Sequence, residues 1–225
     1  MLRTDFSEPD FQEAKGRFVR LERLDWSRHL DGLFDCLAGD DNADIWRWLG
    51  NLGPYSKTET DKESFKQSFK AGVVSEMHPW QTAVILDATS SAVLGMASFM
   101  RIRPSAGSAE VGFIAFSHAL QRTPHATEAM YLMMAYVFQT LGYRRYEWKC
   151  NNRNEPSELA ATRLGFTYEG NFRQVHIAKG ENRDTAWFSI IDSEWPSIKA
   201  GFKTWLSPEN FDADAQQIKR LQECR

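Results

Sequence analysis

The stretch NNRNEPSELAATRLGF, residues 151–166, marks both the start and the end of one short helix. Pro156 suits the first helical position, where its missing N–H group is not needed. Gly165 suits the left-handed residue that ends a helix, and Phe166 can pack back against the last turn. Isolated helices of fewer than about 12 residues are marginally stable in water. We therefore expect the surrounding fold to fix the position of this helix, because something depends on where it begins.

The segments just before this helix are predicted to be a strand and a longer helix. YRRYEWKCN, residues 143–151, has the pattern of a strand. Before it, a helix is predicted from about Pro124 to Leu141, the longest in the chain, and Gly142 ends it. Its apolar residues recur at helical spacing, namely Ala126, Met130, Met133, Val137 and Leu141.

Farther out, predicted strands and helices fill the rest of the chain. Asp25 is predicted to cap a helix that ends at Gly39. Further helices are predicted at residues 58–72 and 194–206. Strands are predicted at residues 17–25, 81–88, 92–102, 109–116, 166–178 and 183–191. Short turns join the strands at 81–88, 92–102 and 109–116, which favours an antiparallel meander. The sequence therefore predicts an α/β domain.

Composition excludes several classes of function. The net charge is −3 and the pI is about 6.0, so no basic surface for nucleic acid is indicated. No apolar run approaches the roughly 18 residues of a membrane span, and the N-terminus lacks an apolar signal-peptide core. The three cysteines and five histidines are scattered without ligand spacing. We expect a cytoplasmic protein with no metal, nucleic-acid or membrane partner.

The segment QRTPHATEA, residues 121–129, lies between a predicted strand and the longer helix. Thr123 is a good N-cap and Pro124 a good first helical residue. The unpaired amides and positive dipole of a helix start form a binding site for phosphate, and Arg122 adds a charge beside them. The alternative is an ordinary capped helix without a ligand.

Two loops that follow adjacent strands, one opening a long helix and one a short helix, resemble the GNAT superfamily of acyl-CoA-dependent N-acetyltransferases. The RimJ/RimL-type (ribosomal-protein N-acetyltransferase-like) branch is the most similar. The resemblance covers roughly residues 17–195. It is strongest in AEVGFIAF…LQRTPHATEA, LGYRRYEWKCNNRNEPSELAATRLGF, YEGNFR and KGENRDTAWFSI.

The resemblance implies a GNAT (acyl-CoA N-acyltransferase) fold. Its mixed, mostly antiparallel sheet would be flanked by helices, with the strands at 109–116 and 143–151 splayed at the cofactor site. The domain would span residues 17–206, after an N-terminal extension at 1–16 and before a polar C-terminal tail at 207–225.

By the same resemblance, acetyl-CoA is a co-substrate. In the family its pyrophosphate binds a Q/R-x-x-G-x-G/A loop. Gln121 and Ala126 fit the ends of this motif, but Pro124 replaces the central glycine and removes one amide. Asn154 would hydrogen-bond the pantetheine arm. The full set of implied cofactor-binding residues is Phe113, Ile114, Ala115, Phe116, Gln121, Arg122, Thr123, His125, Ala126, Thr127 and Asn154.

Two residues are candidates for proton transfer. Ser157 occupies a position near the thioester sulfur, where many family members have a tyrosine with a pKa of about 10. A serine is a weaker acid, so Ser157 either protonates the thiolate or only donates a hydrogen bond or relays a proton through water. Glu110 is the candidate base, because strand alternation places it with Gly112, Ile114 and Phe116 on one face. The alternative for Glu110 is a charge at a strand edge.

Three other charged residues are expected to be structural. Glu128 is interpreted as a first-turn acid that complements the dipole of the longer helix. Asp184 and Arg183 are interpreted as stabilising the hairpin turn rather than taking part in chemistry. The aromatic segment IWRWLGNLGPY, residues 45–55, is either the acceptor wall or core packing.

The resemblance implies direct acetyl transfer to a primary amine of a small molecule or a protein N-terminus. The partners would be coenzyme A and that amine, with a homodimer left open. An acyl-CoA-binding protein without catalysis, which regulates a partner, is the alternative.

Overall fold

The computed structural model describes residues 5–74, 80–214 and 216–225. Eight strands form one sheet in the order β1-β2-β3-β4-β5-β6-β8-β7. Of the neighbouring pairs in this sheet, only β5 and β6 are parallel. The mixed, mostly antiparallel sheet is therefore confirmed. The strands are β1 Glu13–Lys15, β2 Val19–Arg23, β3 Gln81–Asp87, β4 Val93–Arg103, β5 Ser108–Phe116, β6 Arg145–Asn151, β7 Thr167–Ala178 and β8 Glu181–Ile191.

Helices cover both faces of the sheet. They are α1 Trp26–Leu37, α2 Glu59–Val74, α3 Pro124–Ala135, α4 Glu155–Leu164 and α5 Trp195–Leu206. Buried side chains of α1 and α2 pack on one face, which we call the α1/α2 face. Those of α3, α4 and α5 pack on the other, the α3/α5 face. Helix α3 continues directly into a π-helical turn at Tyr136–Thr140, so the helix predicted from about Pro124 to Leu141 is present over residues 124–140 and is longer than α2, which has 16 residues.

Helix ends follow the predicted signals closely. The Asp25 carboxylate accepts a hydrogen bond from the Ser27 amide and caps α1. The Thr123 hydroxyl accepts from the Ala126 amide, 3.2 Å away, and caps α3. Helix α3 does not continue regularly to Leu141, because residues Tyr136–Thr140 form a π-helical turn.

The interpretation of Glu128 was wrong. It is the fifth residue of α3 rather than a first-turn acid, and its side chain is buried. Its carboxylate accepts hydrogen bonds from the amides of Arg17, Phe18 and Val19 at 2.6–2.9 Å. The charge therefore joins α3 to the start of β2, across 109 residues of sequence or more, instead of complementing the helix dipole.

Both ends of the described chain pack onto the sheet and its helices. Phe11 is fully buried, with its ring 5.4 Å from that of Phe99, and β1 pairs with β2. At the other end Leu221 is fully buried, and the Arg225 guanidinium donates to the Arg163 carbonyl at 2.7 Å. The boundaries at residues 17 and 206 remain a prediction from the sequence.

None of the described helices has the length and apolar character needed to cross a membrane. Within residues 5–74, 80–214 and 216–225, no group of three or more His, Cys, Asp or Glu side chains is arranged to hold a metal ion.

Candidate active site

Strands β5 and β6 separate part-way along their length. Their parallel pairing extends from Ser108 opposite Arg145 to Val111 opposite Trp148. Both strands continue beyond this point, to Phe116 and Asn151. A gap therefore opens in the middle of the sheet, where the family resemblance implied it, with the starts of α3 and α4 following the two strands that border it.

A bulge in β5 lies beside this gap. Ser98 of β4 pairs with Gly112, whereas Met96 pairs with Ala115, so β5 carries an extra residue here. Phe113 takes a φ of +49°, which is strained for a non-glycine residue. Bulges of this kind bend a strand and redirect its groups.

The bulge changes which residues share a face, so the predicted alternation was wrong. Ala109 and Val111 pack in the α3/α5 core, which puts Glu110 on the α1/α2 face. Gly112 is on the same face, because a Cβ there would lie 3.3 Å from Glu110 Oε1. Ile114 and Phe116, beyond the bulge, pack instead against the α3/α5 core.

The segment between β5 and α3 forms a tight turn. Arg122 has a φ of +61°, is exposed, and makes no ion pair with any residue that the structure describes. Gln121 turns back, and its side-chain amide donates to the Phe116 carbonyl at 2.9 Å. The Ser117 hydroxyl oxygen is buried without a hydrogen-bond partner among the described residues. This turn therefore presents an exposed cation beside the start of α3, where Pro124 has no amide and the Ala126 amide is already bound by the Thr123 hydroxyl.

Two of the implied cofactor-binding residues on α3 have side chains that bind other parts of the protein. The His125 Nε2 donates to Asp87 at 3.1 Å. Hydrogen bonds from Ser90, with a smaller one from His125, lower the pKa of Asp87 to about 2. Thr127 is buried, and its hydroxyl accepts from the Arg163 guanidinium at 3.1 Å. These side chains hold α3 against its neighbours, whereas Ala126 has no polar side-chain group.

The stretch at residues 151–166 contains α4, which has a cap at each end. Asn154 is the N-cap, and its side-chain oxygen accepts from the Ser157 amide at 3.3 Å. Glu155 is the first helical residue, so Pro156 lies at the second position rather than the first. Gly165 ends the helix with a φ of +104°. Asn154 is therefore the residue that caps α4.

The Ser157 hydroxyl faces the end of β6. Its oxygen accepts a hydrogen bond from the Trp148 indole N–H at 3.0 Å. Burial raises the pKa of the nearby Cys150 thiol to about 11, against a hydrogen bond from Ser157 that lowers it. The hydroxyl is thus held in place by the side chains of the strand that borders the gap.

Glu110 is buried within a network of ion pairs on the α1/α2 face. Arg101 Nη1 lies 2.5 Å from one carboxylate oxygen, and Lys149 Nζ lies 2.6 Å from the other. Lys149 also pairs with Glu147 at 2.8 Å. Each carboxylate oxygen of Glu110 is therefore paired with a cation.

Glu147 extends the same network. Arg103 and Arg145 both pair with it, at 2.7 and 2.8 Å. Burial opposes its charge, but hydrogen bonds from Lys149 and Arg145 outweigh burial and lower the pKa of Glu147 to about 2. Sequence reasoning missed these residues, although RYEWKC alternates Arg145, Glu147 and Lys149 at the spacing of one strand face.

The two charged residues of the β7–β8 hairpin differ in their surroundings. Asp184 accepts from the Gln174 amide and the Asn182 side chain, both at 2.8 Å, which supports its interpretation as a hairpin residue. Hydrogen bonds, chiefly the one from Gln174, lower the pKa of Asp184. The Arg183 side chain makes no hydrogen bond or ion pair with any residue that the structure describes.

The aromatic segment at residues 45–55 contributes mainly to the core. Trp46 is fully buried, and its indole N–H donates to the Leu37 carbonyl at 2.8 Å. Its ring packs edge-on against Tyr55 at 4.9 Å. Trp48 is only half-buried, with the Arg47 guanidinium over its ring at 4.8 Å.

The turn between β7 and β8 contacts the segment at residues 45–55. The Lys179 amide donates to the Asn51 side chain at 2.8 Å, and its ammonium donates to the Trp46 carbonyl at 2.7 Å. The segment at residues 45–55 therefore joins the core on one side and the hairpin on the other.

The sequence of this chain matches a known family. The model of the acetyltransferase (GNAT) domain matches residues 19–167. The chain belongs to the GNAT acetyltransferase family. The GNAT fold implied by the sequence is thereby confirmed.

Similar proteins extend the likeness beyond that range. A GCN5-related N-acetyltransferase from Brucella melitensis is 43% identical, covering 98% of this chain and 97% of that one, with a TM-score of 0.90. A GNAT-family structure from Chromobacterium violaceum is 35% identical, covering 85% and 92%, with a TM-score of 0.76. The uncharacterized N-acetyltransferase p20 of Bacillus licheniformis is 32% identical over 104 residues, which are 46% of this chain. The chain spans only 57% of the length of p20.

Proposed function

We propose that the protein transfers the acetyl group of acetyl-CoA directly to a primary amine of a small molecule or a protein N-terminus. The observation that carries this proposal is the gap between β5 and β6, bordered by the bulge at Phe113. Membership of the GNAT acetyltransferase family supports it. Assignment to the RimJ/RimL-type branch is part of the proposal and rests on the sequence resemblance.

The residues around the gap fit coenzyme A. The exposed Arg122 and the first amides of α3 would bind the pyrophosphate, with Arg122 compensating for the amide that Pro124 lacks. Backbone groups of β5 from Phe113 to Phe116 would pair with the pantetheine arm. The Ser117 hydroxyl, which has no hydrogen-bond partner among the described residues, and the Asn154 amide group are further donors at its borders. Acetyl-CoA would supply the acetyl group as a thioester.

Two residues would handle protons in this proposal. Glu110 would receive the proton of the acceptor amine, through water, once its ion pair with Arg101 opens. The Ser157 hydroxyl would donate a hydrogen bond or a proton to the leaving thiolate, while Trp148 holds its oxygen. A backbone amide of β5 would stabilise the developing oxyanion.

Acetyl-CoA is expected to stabilise the fold. At 100 times its dissociation constant a ligand adds about 2.7 kcal/mol to the free energy of unfolding. The melting temperature should therefore rise clearly in millimolar acetyl-CoA, and release of free thiol with an acceptor amine should follow. Stabilisation without turnover across a broad set of amines would favour the non-catalytic alternative. Absence of both would overturn the proposal.

Substitutions at the start of α4 are expected to separate binding from chemistry. Asn154→Ser keeps an N-cap but removes the amide donor, so the KM for acetyl-CoA should rise about 3- to 10-fold, as one hydrogen bond allows. Ser157→Ala should lower kcat by about 100-fold if the hydroxyl transfers a proton. Ser157→Thr keeps a hydroxyl and is the control. An unchanged kcat in Ser157→Ala would limit this serine to binding the Trp148 indole.

A further inference from the structure

Three side chains of β8 carry buried polar atoms without partners. They are Arg183 at Nε, Thr185 at Oγ1 and Trp187 at Nε1, and no described residue makes a hydrogen bond to any of these atoms. The alternate residues Ala186 and Phe188 pack in the α3/α5 core, so the three point to the α1/α2 face. An unsatisfied buried polar group costs about 1–3 kcal/mol, and native proteins keep few of them. Three in a row on one strand face indicate a place for a ligand.

This row of β8 reaches the candidate active site. Thr185 pairs with Asn151, the last residue of β6, and Trp187 pairs with Lys149. The Lys149 ammonium, which binds Glu110, lies 3.8 Å from the centre of the Trp187 ring. Arg183 lies beyond the end of β6, and the Asn152 amide donates to the carbonyl of the adjacent Asp184 at 3.1 Å. The row therefore runs from the proposed base toward the start of α4.

Arg183 differs from the cations that β4 and β6 place on this face. Each of those cations pairs with a carboxylate at 2.5–2.8 Å, namely Arg101, Arg103, Arg145 and Lys149. Arg183 is partly buried without such a partner among the described residues. A guanidinium keeps its charge at any ordinary pH. A partly buried charge without a counter-ion is costly, unless a ligand supplies the opposite charge.

The part of this face formed by β4, β6 and β8 has an excess of positive charge. Among the residues that the structure describes, the carboxylates that pair with or lie near Arg101, Arg103, Arg145, Lys149 and Arg183 are those of Glu110, Glu147 and Glu169. His176 lies opposite Arg183 on β7 and is exposed to the same positive charges. Burial and the charges of Arg183 and Arg101 lower the pKa of His176. Such a surface repels a polycation and attracts an anion.

We propose that the amine acceptor carries a carboxylate, which Arg183 binds, with the Thr185 hydroxyl and the Trp187 indole N–H as further donors. This inference rests on the proposed function and specifies its acceptor. Guanidinium binds carboxylate through two parallel hydrogen bonds, and the other two groups are donors of the right kind. The carboxylate belongs either to a free amino acid or to an acidic side chain that follows an N-terminal amine.

Matched acceptor pairs test this inference. One arm compares α-, β- and γ-amino acids with their carboxamides, and the other compares peptides with Glu or Gln at the second position. Release of free thiol from acetyl-CoA gives kcat/KM for each acceptor. In at least one arm the carboxylate member should be preferred by about 10- to 100-fold, as expected for hydrogen bonds between charged groups. The arm that shows the preference identifies the source of the carboxylate.

Arg183→Gln should abolish the preference by raising the KM for the carboxylate member alone. Its melting temperature should still rise with acetyl-CoA, because Arg183 is not part of the proposed coenzyme A site. Arg183→Lys keeps the charge but cannot form two parallel hydrogen bonds. Its preference for the carboxylate acceptor should therefore lie between that of the parent and that of Arg183→Gln. Arg173→Gln removes an exposed cation from β7 and is the matched control, with no expected change.

The outcomes separate the inference from the function on which it rests. Turnover without a carboxylate preference in either arm would overturn the inference alone. A preference that persists unchanged in Arg183→Gln would do the same. Absence of both acetyl-CoA stabilisation and turnover would overturn the proposed function, and the acceptor inference with it.

Discussion

Replacing Glu128 with glutamine is expected to lower the free energy of unfolding by about 3–5 kcal/mol, the range for breaking a buried charged interaction. One carboxylate oxygen accepts from the Arg17 amide, and the other accepts from the amides of Phe18 and Val19. Glutamine would turn an NH₂ group toward at least one of these N–H donors. Each lost hydrogen bond to a charged group costs about 1.5–3 kcal/mol, and the donor left behind stays buried.

Urea unfolding of the parent and the variant measures this cost directly. Glu13→Gln removes an exposed carboxylate that pairs with Lys15 at 3.2 Å, so it is a matched control with an expected change below about 0.5 kcal/mol. A cost below about 1 kcal/mol for Glu128→Gln would show that the three amides find other partners.

The same substitution links stability to function. Glu128 lies on α3 just after the turn proposed to bind pyrophosphate, and its carboxylate fixes that helix against β2. The Glu128 carboxylate packs directly against Gly16, where an added Cβ would lie 2.3 Å from its carboxyl carbon. A folded fraction of Glu128→Gln should therefore also bind acetyl-CoA more weakly.

Local sequence signals predicted most of the fold. Caps at Asp25, Thr123 and Gly165 lie within one residue of the helix ends, because capping depends on the nearest backbone groups alone. The strands of the meander followed from alternation and short turns. The splay of β5 from β6 followed from the family resemblance, and pattern alone did not require it.

Features set by distant parts of the chain were not predictable in this way. The bulge at Phe113 depends on the pairing of β5 with β4, and no glycine marks the residue with positive φ. The partners of Glu128 come from a segment at least 109 residues away. Arg183 was interpreted as a hairpin residue. That no described carboxylate pairs with it depends on how the neighbouring strands are arranged, which the local sequence does not show. A one-residue shift in β5 was enough to assign Ile114 and Phe116 to the wrong face.

Glu110→Gln is expected to slow turnover by about 100-fold or more at pH 7 and to recover toward the parent rate near pH 9–10. An α-amino group has a pKa near 8 and a lysine near 10.4, so most of the acceptor is protonated at neutral pH. A base must remove that proton at or before attack. At high pH the solvent does so, and the base is no longer needed. Acetyl-CoA affinity should stay unchanged, because Glu110 is not part of the proposed coenzyme A site.

Glu147→Gln is the matched control for this experiment, because Glu147 shares Lys149 with Glu110 in one ion-pair network. Both substitutions remove one buried negative charge beside the same ammonium, but only Glu110 is proposed to accept a proton. If both variants are slow at every pH, the network acts by holding Lys149 and its neighbours, and Glu110 is not the base. If Glu110→Gln turns over normally at pH 7, the acceptor loses its proton to solvent or to another group. Recovery at high pH in Glu110→Gln alone would assign the proton to Glu110, since the loss of charge by itself is the same in both variants.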